Sequence, residues 1–352
     1  MKRPLSYSGY STYVTCPKKY DLHYNEMLRP TGTPSHLVFG QAVDKALNER
    51  LMNANESKIE AEIIKALMQI LTEEIQLEEK DYDGEIIHDG VRTIMDAELR
   101  NTGWTGTSSD ALAKSLFEKI TFGEPLSENQ NKALRILVFW SFYEKILLIV
   151  KSFEEYVMPQ IEEVTAVQTN VKRGIIDFTA KLKGVEGIVT VDNKTASRDY
   201  APDAVKVSVQ LAGYGATKGA YIVFNKNVKK NRTKTCSVCG NDGTGKRHKT
   251  CDVVKYDVRC NGEWTETISP EIVPQIIIDD IDEYTRNMVE AAYSETEKLI
   301  DSGVFPRNLT ACGMQYGKPC PYINYCWKND ETGLKRIEKN PNKLDEILRE
   351  EK

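Results

Sequence analysis

The sequence predicts an α/β fold with a mixed central sheet flanked by helices, interrupted by one helical and one small cysteine-rich insertion. Three observations lead to this prediction. The stretch 57–158 is helical in pattern, the hydrophobic period changes to that of strands at residue 161, and a helix and a further strand follow the first three strands. At 352 residues the chain is long enough to bury a large core.

Two helices are predicted before the helical insertion. A short one carries tyrosines among small residues in SYSGYSTYVTCPKKYDLHY, and a second covers 37–53, where Gly40 and Asp44 lie one turn apart. Three further helical segments follow in 57–158, and the last of them is apolar on nearly all sides. We expect that last helix to be buried within the protein.

The pattern after residue 160 is that of a sheet. Three consecutive strands, separated by turns that contain glycine, are predicted at 161–173, 174–184 and 187–195. The later predicted elements are a helix at 203–218, a strand at 219–225, a strand near 263–269, an amphipathic helix at 271–302 and a solvated helical tail at 328–352.

These elements predict one core domain with two insertions. Its parts are 1–56, the first part of the core; 57–158, the helical insertion; 159–327, the rest of the core, containing the cysteine-rich insertion 228–264 and the cysteine segment 312–327; and 328–352, a charged tail.

Composition indicates an ordinary globular protein. Hydrophobic residues make up 40% of the chain and charged residues 28%. No apolar run approaches the ~20 residues that cross a bilayer. The opening MKRPLSYSGYSTY has no apolar stretch of the kind that secretory signals contain, so a cytoplasmic location is expected.

The formal net charge of −5 argues against a polycation that coats nucleic acid without specificity. Charge is nevertheless uneven, because KNVKKNRTK (226–234) and GKRHK (245–249) form one dense basic neighbourhood. A locally basic face is compatible with phosphate binding. The candidate DNA-binding residues there are Lys229, Lys230, Arg232, Lys246 and Arg247.

The stretch GIVTVDNKT places an acid and an amine together. Side chains alternate along a strand, so Asp192 and Lys194 share a face, and Asp177 in the preceding strand lies one hairpin upstream. Two carboxylates beside a lysine suit a hard divalent cation, which can polarise a phosphoryl oxygen and activate water. The alternative is a surface ion pair, since Asp and Lys two positions apart are common on exposed strands.

Two further features favour the metal site over the surface ion pair. The predicted helix after the strand carries Gln210 and Tyr214 four positions apart, hence on one face. An earlier helix carries Asp44 one turn after Gly40. Together with Asp177 they make a chance arrangement of Asp192 and Lys194 the weaker explanation.

The order G-x-x-x-D, G-I-I-D, V-D-N-K-T and Q-L-x-x-Y-G resembles the RecB-type branch of the PD-(D/E)XK nuclease superfamily. The S-x-S…C-P-x-x-Y opening is similar to the N-terminal segment of that branch. The resemblance covers 5–50, 163–225 and 300–327. It implies a restriction-endonuclease-like core. The branch includes the nuclease domains of AddAB-type helicase-nucleases, CRISPR-associated exonucleases and many phage exonucleases.

The resemblance also implies roles for individual residues. Asp177 and Asp192 correspond to the metal-binding acids, the backbone carbonyl of Asn193 to an extra ligand, and Lys194 to the catalytic lysine. Gln210 and Tyr214 correspond to the motif that supports the site and touches the DNA strand. Asp44 stands where the branch often has histidine, and an acid there can still bind Mg²⁺ or Mn²⁺.

Four cysteines at the two ends of the chain fit another property of this branch. Some members close the nuclease domain with a 4Fe–4S cluster, which Cys16, Cys312, Cys320 and Cys326 would hold by resemblance. Seven residues separate Cys312 from Cys320 where two are usual. The alternatives are that Cys16 is a core thiol and that the others bind zinc or nothing. A structural role is expected, because the cluster would join distant parts of the chain.

The cysteine-rich insertion predicts a zinc ribbon. Cys236 and Cys239 form a C-x2-C knuckle, and Cys251 and Cys260 supply two further thiols, with His248 as a possible substitute for one of them. A metal-free loop is the weaker alternative, because this polar, glycine-rich segment has little core of its own.

The same segment also contains part of another motif. Gly240, Gly245 and Lys246 match the start of a phosphate-binding loop. Arg247 stands where Ser or Thr is needed, so ATP binding is not expected.

The function predicted from these features is a metal-dependent deoxyribonuclease, most consistent with an exonuclease acting on single strands or DNA ends. One alternative is a DNA-binding or assembly factor that keeps the fold without cutting. The other is an enzyme of this fold that works with protein partners in recombination, replication or CRISPR adaptation. The intact set Asp177, Asp192 and Lys194 favours an enzyme.

Overall fold

The computed structural model describes residues 4–244, 250–255, 258–313 and 319–337. The elements of the N-terminal region are helix α1 (Tyr7–Thr15), helix α2 (Pro17–Tyr20), a π-helical turn (Asp21–Asn25), strands β1 (Leu28–Pro30) and β2 (Thr33–Pro34), and helix α3 (Ser35–Leu51). The Ser6 side chain caps α1 by accepting a hydrogen bond from the Gly9 backbone N–H. Both helices predicted in this region are confirmed.

The region that follows is almost entirely helical. Its elements are α4 (Glu56–Thr72), β3 (Ile75–Gln76), 3-10 turns at Glu79–Asp81 and Gly84–Ile86, α5 (Asp89–Arg100), α6 (Ser109–Thr121), α7 (Glu128–Ser152), a π-helical turn (Phe153–Val157) and a 3-10 turn (Met158–Gln160). Helix α7 is buried on most of its surface, as its all-round apolar sequence predicts. None of the helices in the described part of the chain has the length and apolar character to cross a membrane.

The remaining elements form the sheet and what packs on it. They are β4 (Ile161–Val171), β5 (Gly174–Leu182), β6 (Val189–Ala196), α8 (Val209–Gly213), β7 (Lys218–Asn225), β8 (Lys229–Cys236), β9 (Val254–Lys255), β10 (Val258–Arg259), β11 (Trp264–Glu271), β12 (Gln275–Asp280), α9 (Glu283–Asp301), α10 (Leu309–Gly313), α11 (Ile323–Lys328) and β13 (Leu334–Arg336).

The central sheet is mixed and flanked by helices, which confirms the predicted fold class. Its five strands lie in the order β12-β7-β6-β5-β4, with β6 and β7 parallel and the other neighbours antiparallel. Side chains of β5 alternate as predicted: Ile176, Phe178 and Ala180 are buried, and Asp177 lies on the other face. One large core joins the buried face of β5 and β6 to α3, α4 and α7.

The helix predicted for 271–302 is wrong in its first third. Residues 275–280 form the edge strand β12, antiparallel to β7, and the helix begins only at Glu283. Three consecutive isoleucines, 276–278, favour a strand because β-branched side chains pack well on a pleated surface. The Asp282 side chain then caps α9 by accepting from the Thr285 N–H.

Two other predicted helices also differ from the structure. Only Val209–Gly213 of the segment 203–218 is helical, because Ser208 starts the helix and Gly215, with φ +84°, ends it in a left-handed turn. In the tail, Leu334–Arg336 pairs with β1 as a strand. Residues 338–352 of the predicted tail helix lie outside the described residues.

The insertion after β7 contains a two-stranded ribbon. Strands β8 and β11 pair antiparallel over eight positions from Lys229–Glu271 to Cys236–Trp264. The ribbon is tied to the helical region by ion pairs. Lys230 Nζ lies 2.8 Å from an Asp83 carboxylate oxygen, and Arg232 lies 2.7 Å from Glu85. The ribbon is therefore held against the helices rather than projecting freely.

Candidate active site

Asp192, Lys194 and Gln210 form a closed triangle of one ion pair and two hydrogen bonds. The Lys194 ammonium lies 2.5 Å from Asp192 Oδ2 and donates to Gln210 Oε1 over 2.9 Å. The Gln210 amide donates to Asp192 Oδ1 over 2.6 Å. Each group thus fixes the orientation of the other two, and the lysine is held at the acid by two independent contacts.

Helix α8 places Gln210 in this triangle. Its N-cap Ser208 accepts from the Leu211 N–H and lies 2.5 Å from the hydroxyl of Tyr221 on β7, which anchors the helix start to the sheet. One turn on, the Tyr214 hydroxyl accepts a second hydrogen bond from Gln210, 2.9 Å long. The predicted pairing of Gln210 with Tyr214 on one helix face is therefore present.

Asp177 faces the same site from β5. Pairing of Phe178 with Val191 places Asp177 opposite Asp192 when the antiparallel register is continued by one residue. Asp177 Oδ2 accepts a 2.7 Å hydrogen bond from the Asn193 backbone N–H. The Tyr214 ring lies so close to Gly174 that a Cβ there would be 3.0 Å from it, so the start of β5 requires glycine.

Asp44 reaches the site from α3. Gly40 lies one turn before it, facing β6, and a Cβ at this position would make an ordinary contact of 3.9 Å with the Thr195 hydroxyl. Gln168 of β4 donates a long hydrogen bond of 3.5 Å to Asp44 Oδ2. Gln168 adopts φ +49°, a left-handed conformation that costs free energy for a residue with a side chain.

Neighbouring acids raise the pKa of Asp44 and of Asp177, whereas burial alone raises that of Asp192. Burial, and then the charge of Asp192, raise the pKa of Asp44 to about 6. Burial, Asp192 and Asp44 raise the pKa of Asp177 well above its usual value. Burial lowers the pKa of Lys194, but its interactions with Asp192, Tyr221 and Asp177 together outweigh burial, so the net shift is upward and the lysine stays charged. One lysine thus faces three carboxylates.

This excess of negative charge fits a divalent cation. Carboxylate oxygens and backbone carbonyls are the ligands that Mg²⁺ and Mn²⁺ prefer. The carboxylates of Asp44, Asp177 and Asp192 are not all within 4.8 Å of one another, since the one such group in the described residues is a set of cysteines. A cation would therefore draw these acids closer or bind some of them through water, as Mg²⁺ commonly does.

That set of cysteines is the quartet of the insertion, Cys236, Cys239, Cys251 and Cys260. The sulfurs of Cys236 and Cys260 are 3.5 Å apart, and those of Cys239 and Cys251 are 3.6 Å apart. A tetrahedral zinc ion with Zn–S bonds of about 2.3 Å separates its thiolates by about 3.8 Å, close to both distances. The Cys239 and Val238 N–H groups lower the pKa of Cys236 to about 6. His248, the possible substitute, lies outside the described residues.

The four end cysteines share one neighbourhood at wider spacing. Asn308 links two of them, because its N–H donates to Cys16 Sγ and its carbonyl accepts from the Cys312 thiol. The Cys320 N–H donates to the Cys312 carbonyl. Burial raises the pKa of Cys326, and the other three cysteines add to the shift. No three of these sulfurs lie within 4.8 Å, although the structure describes all four residues.

The predicted DNA-binding residues differ in whether their charges are already paired with acids. Lys230 and Arg232 are engaged in the ion pairs with Asp83 and Glu85. Lys229 is exposed on the same strand. Lys246 and Arg247 lie outside the described residues.

Sequence reasoning missed Arg173, the largest fully buried side chain among the described residues. Its guanidinium donates to Glu290 over 3.0 Å and to Glu297, and it lies 4.3 Å from the Tyr293 ring centre. These contacts brace the turn before Asp177 against α9. The sequence carries no local signal for this role, because the partners are more than 100 positions away. Gln168 was missed for the same reason.

The chain was compared with known protein families, curated proteins and solved structures. The family model described as the PD-(D/E)XK nuclease superfamily matches residues 4–326. No curated protein and no solved structure matched the chain.

Proposed function

Because the chain belongs to the PD-(D/E)XK nuclease superfamily, we propose that it is a metal-dependent deoxyribonuclease acting as an exonuclease on single-stranded DNA or DNA ends. The superfamily itself comprises nucleases that use divalent metals. The observation that carries the proposal is the triangle of Asp192, Lys194 and Gln210 with Asp177 and Asp44 beside it. An intact site of this kind favours an enzyme over a factor that only binds DNA.

The proposed roles follow from the geometry. Asp177 and Asp192, the Asn193 carbonyl and Asp44 would hold Mg²⁺ or Mn²⁺, which supplies a polarised phosphoryl oxygen and an activated water. Lys194, held at Asp192, is placed to stabilise charge that develops on the phosphate. Gln210 keeps the lysine and the acid oriented, and Tyr214 supports Gln210 from the next turn. The half-buried position of Asp177 and Lys194 leaves the site open to a strand on one side.

We assign the chain to the RecB-type branch as part of the same proposal, with a 4Fe–4S cluster on Cys16, Cys312, Cys320 and Cys326. Support comes from the spacing of these sulfurs. They share one neighbourhood, yet no three of them lie within 4.8 Å of one another, which suits a cluster of four irons better than a single zinc ion. The sulfurs of the quartet in the insertion lie 3.5 and 3.6 Å apart in pairs, which is the spacing around a single ion, so we propose structural zinc there.

The ribbon residues Lys229, Lys230 and Arg232 remain candidate DNA contacts. Lys229 is exposed and free to approach a phosphate, whereas Lys230 and Arg232 would have to exchange their carboxylate partners for phosphates. Binding by these two residues would therefore loosen the ribbon from the helical region. A cytoplasmic location and partners from recombination, replication or CRISPR adaptation stay predictions.

Lys194→Ala is expected to abolish digestion of DNA by the protein. The lysine is held in the triangle by Asp192 and Gln210, so its loss removes stabilisation of charge in the transition state, typically about 10²–10³-fold in rate. The measurement is digestion of end-labelled single-stranded, double-stranded and circular DNA, and of RNA, in Mg²⁺, Mn²⁺ or EDTA. Release of labelled mononucleotides from linear DNA only would indicate an exonuclease.

The matched control is Lys181→Ala. Lys181 is an exposed lysine on the neighbouring strand β5, paired with Glu163, and we expect wild-type activity from that variant. Equal digestion by the wild type and Lys194→Ala, or no digestion of any substrate by the wild type, would refute the proposed function.

The metal-free protein is expected to lose stability between about pH 4 and pH 6, and Mg²⁺ to restore it. The pKa of Asp44 is raised from 3.8 in the unfolded chain to about 6 in the folded one. Its contribution to folding is therefore full below the unfolded pKa and lost as pH rises through the folded pKa. Bound Mg²⁺ at 100 times its Kd would add about 2.7 kcal/mol.

This prediction is checked by urea unfolding at pH 4.5, 6 and 7.5 in EDTA and in Mg²⁺. The Asp44→Asn variant isolates the contribution of this carboxyl from other titrating groups, because it should flatten the pH dependence in EDTA and weaken the effect of Mg²⁺. An unchanged pH profile in Asp44→Asn would contradict the prediction.

A further inference from the structure

We propose that a cavity beside the active site binds a backbone phosphate of the nucleic-acid strand through Lys145 and Lys226. The cavity measures about 470 Å³ and lies between the start of α3, the helical region and the residues that follow β6 and β7. The proposal rests on the proposed nuclease function, which it deepens by adding a substrate subsite near the one that holds the reacting phosphate.

Lys145 is the first reason for an anionic ligand. It lies in the C-terminal third of the buried helix α7, lines the cavity, and is only 6% exposed. In the described part of the chain its ammonium has no hydrogen bond or ion pair, whereas buried charges are normally paired. Burial lowers its pKa, although the charges of Asp83 and Asp81 act in the opposite direction.

The two acids that influence Lys145 each have a further partner, although the charge of Asp81 acts on both Lys145 and Lys226. Asp83 forms an ion pair with Lys230 of the ribbon, at 2.8 Å. Asp81 accepts a 2.8 Å hydrogen bond from the Glu78 backbone N–H and is itself buried. Lys145 is therefore a nearly buried cation whose side chain lines a cavity and whose neighbouring acids have other partners. An anion in the cavity would supply the missing partner.

Lys226 provides a second cation in the lining of the cavity. It follows β7, and its backbone N–H donates to the carbonyl of Ala196 at the end of β6, over 2.7 Å. Its ammonium lies 5.7 Å from the centre of the Phe39 ring. Burial lowers its pKa, the charges of Lys80 and Lys145 lower it further, and the charge of Asp81 acts in the opposite direction. The lysines are thus close enough to repel one another, and an anion between them would relieve that repulsion.

Helix α3 connects this cavity to the candidate active site. His36 and Phe39 line the cavity, and Asp44 on the same helix reaches the catalytic acids. With a rise of 1.5 Å per residue, the two cavity residues lie about 12 Å and 7.5 Å from Asp44 along the helix. A strand of a few nucleotides spans such a distance, because stacked nucleotides rise about 3.4 Å each. Measured along the axis of α3, the two places are therefore within reach of one strand of a few nucleotides.

The lining also selects the class of ligand. Four lysines and two acids line the cavity, so a cation is disfavoured and an anion is favoured. The volume exceeds that of a lone phosphate and leaves room for the sugar or base attached to it. Lysine is a compact point charge that binds phosphate without demanding a planar, bidentate partner. A nucleotide phosphate satisfies all three conditions.

The test measures phosphate binding without metal and without cleavage. Inorganic phosphate and thymidine monophosphate are titrated in EDTA into the wild type, Lys145→Met, Lys226→Met and the control Lys151→Met, which removes an exposed lysine from the same helix α7. Calorimetry should give at least tenfold weaker binding to Lys145→Met and Lys226→Met, and unchanged binding to Lys151→Met. Equal affinity in all four proteins, or no binding by the wild type, would overturn the proposal.

Two further measurements separate this proposal from the nuclease function. Lys145→Met should fold at least as stably as the wild type, since it removes a buried unpaired charge, so a thermal melt excludes misfolding as the cause of weaker binding. Asp177→Asn should bind thymidine monophosphate like the wild type even though it cannot cut. Phosphate binding that depends on Lys145 in a protein without nuclease activity would sustain the cavity site and refute the enzyme. If DNA is cut, Lys145→Met should raise KM and leave kcat within about twofold.

Discussion

Asp177→Asn is expected to abolish nuclease activity while raising the thermal stability of the metal-free protein. The asparagine can still accept the 2.7 Å hydrogen bond from the Asn193 N–H, so the local backbone geometry is kept. What is lost is one negative charge in a group of three. Activity should fall by at least about 10²–10³-fold, because the charge that would hold the metal and balance the transition state is gone.

The rise in stability follows from the sign of the pKa shift. Burial, Asp192 and Asp44 raise the pKa of Asp177 above its unfolded value, so ionisation of this carboxyl near neutral pH opposes folding. Removing the charge removes that unfavourable contribution. In EDTA at pH 7.5 the melting temperature of the variant should exceed that of the wild type, and Mg²⁺ should raise it less.

The control is Asp203→Asn, which neutralises an exposed acid in the turn before α8. It should change neither activity nor stability. A loss of nuclease activity together with a higher melting temperature in Asp177→Asn would show that the acid serves a function at the expense of folding stability. A variant that loses stability and activity together would instead indicate a structural role, and full activity would refute the site.

Cys320→Ser is expected to remove iron and brown colour and to destabilise the protein strongly. Cys320 belongs to a small core with Leu22, Leu28 and Tyr322, where both ends of the described chain meet. A cluster there would link Cys16 to the C-terminal cysteines and close most of the chain into a loop. In the chain-entropy model a covalent link closing so long a loop is worth about 6 kcal/mol.

The measurements are iron and zinc content, absorbance near ~400 nm after anaerobic purification, and urea unfolding. Cys239→Ser is the matched control, because it removes a thiol from the quartet of the insertion and should lose zinc while keeping the colour. A wild-type protein that is colourless and contains only zinc would show that the end cysteines hold no iron–sulfur cluster.

The central sheet was predictable because strands carry a local periodicity. In 174–182 the buried residues alternate with polar ones, and this alternation alone predicts that Asp177 faces away from Phe178. Likewise the glycine turns between strands predict a meander, which the structure confirms. The i,i+4 spacing of Gln210 and Tyr214 predicts their contact in the same way.

Element boundaries were less predictable where two patterns overlap. The charged stretch after Ile278 continues the helical pattern of α9, and the sequence alone does not separate the edge strand β12 from that helix. Pairing with β7 determines that residues 275–280 form a strand, because an isoleucine-rich segment gains both backbone hydrogen bonds and burial at the sheet edge.

The sequence by itself determined the acids and the lysine on one face of a strand, the two sets of four cysteines, and the resemblance that joins them. Tertiary structure decided which distant groups complete the site. The unpaired Lys145 in its cavity, the buried Arg173 behind Asp177 and the strained Gln168 beside Asp44 have no local pattern. Their roles come from the packing of α7, α9 and β4 against the core, and such long-range contacts depend on how the whole chain folds rather than on the period of any one segment.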